Sequence, residues 1–100
     1  MNVVFSKEAE ADLIAIGDYI SRDSVSRALD FIERLEKAAY QLGQMPKAFP
    51  LLARYQYRSI RRKPFGDYLI FYRIDRDWIS IIHVLHGAMD YEALLSEADL

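Results

Sequence analysis

One hundred residues with 52% apolar side chains, 28% charged ones, four glycines and three prolines describe one compact domain with one core, and exclude a disordered or low-complexity chain. The absence of cysteine excludes a disulfide framework, a Cys-based zinc site and a thiol nucleophile, in keeping with a cytoplasmic location. Net charge is only −2, yet seven of the 13 bases (Lys37, Lys47, Arg54, Arg58, Arg61, Arg62, Lys63) lie between Lys37 and Gly66, where there is no acid, leaving six bases against all 15 acids elsewhere. A basic stretch on an acidic body suits phosphate or an acidic protein partner. The opening residues lack a basic, then apolar, leader pattern, and no apolar run approaches the roughly 18 residues that span a bilayer. A soluble intracellular chain with no membrane association is expected.

Asn2 to Phe5 is an apolar run too short for a helix and reads as a strand; Ser6 follows as an N-cap, with Glu8 and Glu10 in the first turn of a helix that runs to Ser21. Ala9, Leu13, Ile16 and Ile20 recur at helical spacing and mark its packed face. Ser24 or Ser26 caps a second helix, in which Ala28, Ile32, Leu35, Ala39 and Leu42 step by four, three, four and three; Gly43 is expected to end it in the left-handed region, with Pro46 shortly beyond. Two helices joined so closely form an antiparallel hairpin. Pro46 and Pro50 make the segment from Met45 to Arg54 a loop. Candidate strands follow at Tyr55 to Arg62, Asp67 to Asp75 and Trp78 to His86, separated by KPFG and by a DRD turn, and the spacing predicts an antiparallel meander. After Gly87 the acidic stretch AMDYEALLSEADL reads as a short helix, with Asp90 as its cap.

The expected fold is α+β in the order β-α-α-β-β-β, one domain over residues 1–100: an antiparallel sheet with an N-terminal helical hairpin packed on one face and a short C-terminal helix. One feature of the strands is not accounted for by a sheet covered on one side. In 67–75, Tyr68, Ile70, Tyr72 and Ile74 fall on one face and Leu69 and Phe71 on the other; in 78–86, Ile82 and Val84 oppose Ile79, Ile81 and Leu85. A sheet wet on one side alternates apolar with polar. The second face therefore needs either a partner or partial cover by the 45–54 loop and the C-terminal helix.

Chemistry is mostly excluded by what is absent. His83 and His86, the two histidines, point to opposite faces of a strand and cannot chelate one ion; His83 reads as a sheet-face side chain with no chemical task. No metal site or cofactor is expected. There is no nucleophile elbow, no glycine-rich loop after a strand, and the acids fall on wet helix faces, turns and the tail. Metal-independent cleavage of RNA has the right residue types, since Arg, Lys, His and Tyr can orient a nucleophile, stabilise a phosphorane and protonate a leaving group. The residues for it would be Arg61, Arg73, His86 and Tyr91.

The runs FSKEAEADLIAIGDYI, RALDFIERLEKAAYQL followed by Pro46, YLIFYRID and VLHGAMD, in this order within 100 residues, resemble the RelE/ParE toxin superfamily, and its ParE branch more closely. The resemblance implies the toxin of a type II toxin-antitoxin system, inhibiting DNA gyrase by binding without chemistry of its own. It implies a toxin-antitoxin hetero-oligomer, with a small, acidic, DNA-binding cognate antitoxin, and no small-molecule substrate. Arg58, Arg61, Arg62, Lys63, Leu69, Phe71, Arg73 and His86 are then the expected antitoxin- or target-binding residues, with no catalytic residue. The alternatives are a ribosome-dependent mRNA endonuclease of RelE type, or a domain of this fold that has lost toxicity. RelE-type ribonucleases usually carry Arg after the first Tyr of the third strand and bases beyond the last strand; here Leu69 follows Tyr68, and Ala88, Met89 and Asp90 follow Gly87. The ending common in the ParE branch is HGARD, and Met89 replaces its Arg.

Overall fold

The computed structural model describes residues 1–52 and 59–98. In chain order it contains β1 (Asn2–Phe5), α1 (Lys7–Ser21), α2 (Val25–Gln41), β2 (Ile60–Phe65), β3 (Tyr68–Asp75), β4 (Trp78–His86) and α3 (Tyr91–Ala98). Both helix starts follow side-chain chemistry: Ser6 Oγ accepts the Ala9 N–H at 3.0 Å, and Ser24 Oγ accepts the Arg27 N–H at 3.2 Å.

The sheet order is β1-β4-β3-β2. β2, β3 and β4 form the expected antiparallel meander, but β1 lies parallel to β4, so the sheet is mixed rather than purely antiparallel. Loop length fixes direction only between sequential strands; β1 and β4 are separated by most of the chain, and the helical hairpin lets β1 lie along β4 in either sense. The first residues of the expected strand from Tyr55, including Arg58, lie outside the described residues. At its other end the strand runs on through Lys63, Pro64 and Phe65, so the turn is only Gly66 and Asp67, with Gly66 at φ +57°. That positive φ is what a two-residue hairpin asks of its turn. Pro64 is tolerated because β2 ends the ladder of named strands. Its outer side is partly taken by the incoming loop: Leu52 N–H donates to the Ile60 carbonyl and Arg62 N–H to the Pro50 carbonyl.

Gly43 is not left-handed. α2 ends through Leu42 in the right-handed region and a run of tight turns in which Gly43, Gln44 and Met45 N–H groups donate to Tyr40, Gln41 and Leu42 carbonyls. The glycine is needed for space: the Met1 ammonium donates to the Gly43 carbonyl at 2.8 Å, and a Cβ at 43 would collide with the Met1 backbone carbonyl oxygen. Gly43→Ala is therefore expected to cost about 1–3 kcal/mol and to raise amide exchange in β1 first, measurable by denaturant titration and hydrogen exchange.

The core has two layers. Ala9, Ile16, Leu35, Ala39 and Leu42 of the hairpin pack on Ile70, Tyr72, Ile79, Ile81 and Val84. On the other side of the sheet, Ile60, Phe71, Ile82 and Leu85 are buried with Leu95 of α3, flanked by Leu52, Leu69, Tyr91 and Leu94. The partition of β4 differs from strict alternation: Val84 joins Ile79 and Ile81, while Leu85 joins Ile82. A β-bulge causes this, for Phe71 pairs with His83 and Tyr72 with Ile81, leaving Ile82 as the extra residue.

Candidate functional site

The expected binding residues that are described lie in separate environments. Alternation along β2 sends Arg61 and Lys63 toward the 43–52 loop and Arg62 to the opposite face. Arg61 donates to the Phe49 carbonyl at 2.7 Å, and the Lys63 ammonium lies 4.4 Å from the centre of the Phe49 ring. Arg62 donates to the Tyr91 hydroxyl at 3.3 Å. The basic stretch is thus split between two faces, and its described members on β2 are engaged within the chain.

The second sheet face is covered by the chain itself. Phe71 is fully buried and tilts against Tyr91 with ring centres 5.0 Å apart, and Leu95 is fully buried beside it. Leu69 remains partly exposed. Self-cover by α3, one of the two outcomes left open by the strand pattern, accounts for the apolar residues of both parities. A partner segment reaching Phe71 must displace α3.

Arg73 lies at the far end of β3, where its Nε donates to Asp75 at 3.0 Å; Asp75 also accepts from the Ser80 hydroxyl at 2.8 Å. His86 is opposite Tyr68, at the other end of the same strands, and its Nδ1 accepts the Ala88 N–H at 3.1 Å. Arg73 is five residue steps along the strand from Tyr68, a rise of roughly 17 Å. Of Arg61, Arg73, His86 and Tyr91, no two are hydrogen-bonded to one another: Arg61 is at the loop, Tyr91 under Arg62, and Arg73 and His86 at opposite strand ends. These four do not converge on one phosphate.

Two features escaped sequence reasoning. Sequence reasoning places Asp12 on a wet helix face and reads His83 as a sheet-face side chain with no chemical task. Instead Asp12 Oδ2 lies 2.7 Å from His83 Nδ1 and accepts the Val84 N–H at 2.9 Å. β1 ends before this point, so α1 takes over the open side of β4: Ser6 N–H donates to the Ile81 carbonyl, the Ser6 hydroxyl to the Ile82 carbonyl, and Asp12 satisfies the amide just past the bulge. The second feature is an aromatic recess on the helical side, with Tyr19, Phe31, Tyr68 and His86 around it. Burial raises the Tyr68 pKa above its ordinary value, with smaller contributions from Tyr19 and Asp67. Tyr72 is raised as well, chiefly by burial, and its hydroxyl donates to the Pro46 carbonyl at 2.8 Å, holding the loop on the sheet.

No set of three or more metal-ligating side chains is gathered among the described residues, and no helix there is long and apolar enough to cross a membrane.

The architecture has relatives of known structure. The structure described as "Chromosomal ParDE TA system from P. aeruginosa" superposes with a TM-score of 0.73, at 19% identity, covering 86% of this chain and 95% of that one. At that identity the likeness is one of fold. No curated relative matches the chain. Residues 3–91 match the family described as "ParE toxin of type II toxin-antitoxin system, parDE". With nearly its whole length matched in this way, the chain belongs to the ParE toxin family of type II toxin-antitoxin systems.

Proposed function

We propose that this ParE-family toxin acts in the cytoplasm by binding DNA gyrase, traps the enzyme on cleaved DNA, and is held silent by a cognate antitoxin in a hetero-oligomer. The observation that carries binding over catalysis is the dispersal of Arg61, Arg73, His86 and Tyr91 across two faces and both ends of the sheet. Cleavage of RNA without a metal needs a proton acceptor, a cation and a proton donor within hydrogen-bond reach of one phosphate. Leu69, where the ribonuclease branch carries Arg, and the lack of a base at Ala88, Met89 and Asp90 support the same reading, whereas Met89 in place of the Arg of the ParE ending HGARD is a departure from the ParE pattern itself.

The antitoxin in this reading is small and acidic and folds as it binds. Its acids compete for Arg61, Arg62 and Lys63 with the Phe49 carbonyl, the Tyr91 hydroxyl and the Phe49 ring. The purified toxin is expected to abolish gyrase supercoiling of plasmid DNA in a dose-dependent way, with cleaved DNA accumulating, and the antitoxin encoded beside it to restore supercoiling. Intact supercoiling together with cut mRNA on translating ribosomes would instead establish the RelE-type activity. Neither effect would mark a fold that has lost toxicity.

A further inference from the structure

Between the helical hairpin and the β2–β3 turn lies a recess of about 520 Å³, lined by Tyr19, Ile20, Phe31, Asp67, Tyr68 and His86. A second, of about 260 Å³, shares Tyr19, Tyr68 and His86 with it and extends to Asp12 and Met89. Among the described residues, four of the six around the larger recess carry rings, and no Lys or Arg lines either. The rings are fixed against one another: Phe31 and Tyr68 have centres 5.6 Å apart, and Tyr68 and His86 meet edge-on at 5.3 Å.

The electrostatics of this recess run one way. Asp67 is exposed, its backbone carbonyl is taken by the Gly87 N–H, and its carboxylate has no ion-pair partner among the described residues. Burial raises the pKa of Tyr68, with smaller contributions from Tyr19 and from Asp67, whose carboxylate is the negative group at the recess. Ring faces carry partial negative charge and attract cations, guanidinium best of all because it is planar and weakly hydrated. The chain itself shows that these rings accept guanidinium: Arg22 lies 5.9 Å from the centre of Tyr19, and Arg34 lies 5.8 Å from the centre of Phe31. Neither arginine lines the recess, so among the described residues its lining has rings and a carboxylate but no Lys or Arg. A phosphate would find no Lys or Arg among the described lining side chains.

We propose that the recess of Tyr19, Phe31, Tyr68 and His86, closed by Asp67, is a binding site for the guanidinium of an arginine presented by a partner protein. The site stands apart from the identity of the target, because its failure leaves the supercoiling experiment untouched and the reverse also holds. The full-length chain is titrated with N-acetyl-arginine amide and with N-acetyl-citrulline amide, an uncharged isostere, while backbone amide shifts are followed by NMR. Saturable shifts at Tyr19, Asp67, Tyr68 and His86 are expected with arginine, and binding about tenfold weaker with citrulline. Asp67→Asn and Tyr19→Ala are each expected to weaken arginine binding about five- to tenfold while leaving the remaining spectrum in place, since both side chains are exposed. Equal binding of the two compounds, shifts that map elsewhere, or full affinity in both variants overturns the proposal. Preferential binding of uridine monophosphate at the same residues also overturns it and makes the recess a nucleobase platform.

Discussion

Phe71→Ala is expected to lower the folding free energy by about 3–5 kcal/mol, read as a lower urea midpoint at unchanged slope. Phe71 has no exposed surface and is enclosed by Ile60, Ile82, Leu85 and Leu95, with Tyr91 tilted against its ring. Domains of this size hold about 5–15 kcal/mol in all, so the variant sits at the edge of folding at physiological temperature. Phe71→Leu, which keeps most of the volume, should cost about 1–1.5 kcal/mol. Leu69→Ala, on the same face but partly exposed, should cost about 1–2 kcal/mol. The series separates two roles for this face. Were it reserved for the antitoxin and otherwise open, Phe71→Ala would leave the urea midpoint in place and change only antitoxin affinity. An unchanged midpoint would refute α3 as the cover of this face.

The second large effect is expected at Asp12. Its carboxylate accepts the Val84 N–H and contacts His83 Nδ1, with the two side chains only 18% and 11% exposed. A carboxylate only accepts, so the imidazole presents its hydrogen on Nδ1. Asp12→Ala leaves a bulge amide and an imidazole without partners in a largely water-excluded place, at about 2–4 kcal/mol. Asp12→Asn keeps one acceptor oxygen and should cost about half as much. In a double-mutant cycle with His83→Ala, about 1 kcal/mol or more of coupling is expected. Additivity within a few tenths of a kcal/mol would show that the pair contributes nothing to the register of β4 on α1.

Much of the scaffold is legible because its signals are local. Ser6 and Ser24 cap their helices, and Ala9, Ile16, Leu35, Ala39 and Leu42 are buried as helical spacing requires. The faces of β3 also follow from alternation, with Tyr68, Ile70, Tyr72 and Ile74 toward the hairpin and Leu69 and Phe71 away from it. Alternation fails at β4 because one extra residue, Ile82, exchanges the faces of Val84 and Leu85, and no residue type announces a bulge there. Gly43 was legible as a special position, but for the wrong reason: a close approach of Met1, 42 residues away, rather than a left-handed turn, is what excludes a side chain.

The candidate site divides in the same way. Residue types and their order identified the ParE family, and Leu69 and Met89 already separated this chain from patterns usual in the superfamily. Charge counting found the basic stretch but could not assign its side chains to faces; Arg61 and Lys63 meet Phe49, whereas Arg62 meets Tyr91. The aromatic recess draws Tyr19, Phe31, Tyr68 and His86 from four elements spread over most of the chain. Periodicity and capping act within a few residues, so the sequence alone determined the helices, the meander and the family. Parallel β1, the bulge that unites Asp12 with His83, the closure of the second face by α3 and the carboxylate at an aromatic recess were decided by tertiary structure, because each depends on distant segments competing for the same volume and the same hydrogen bonds.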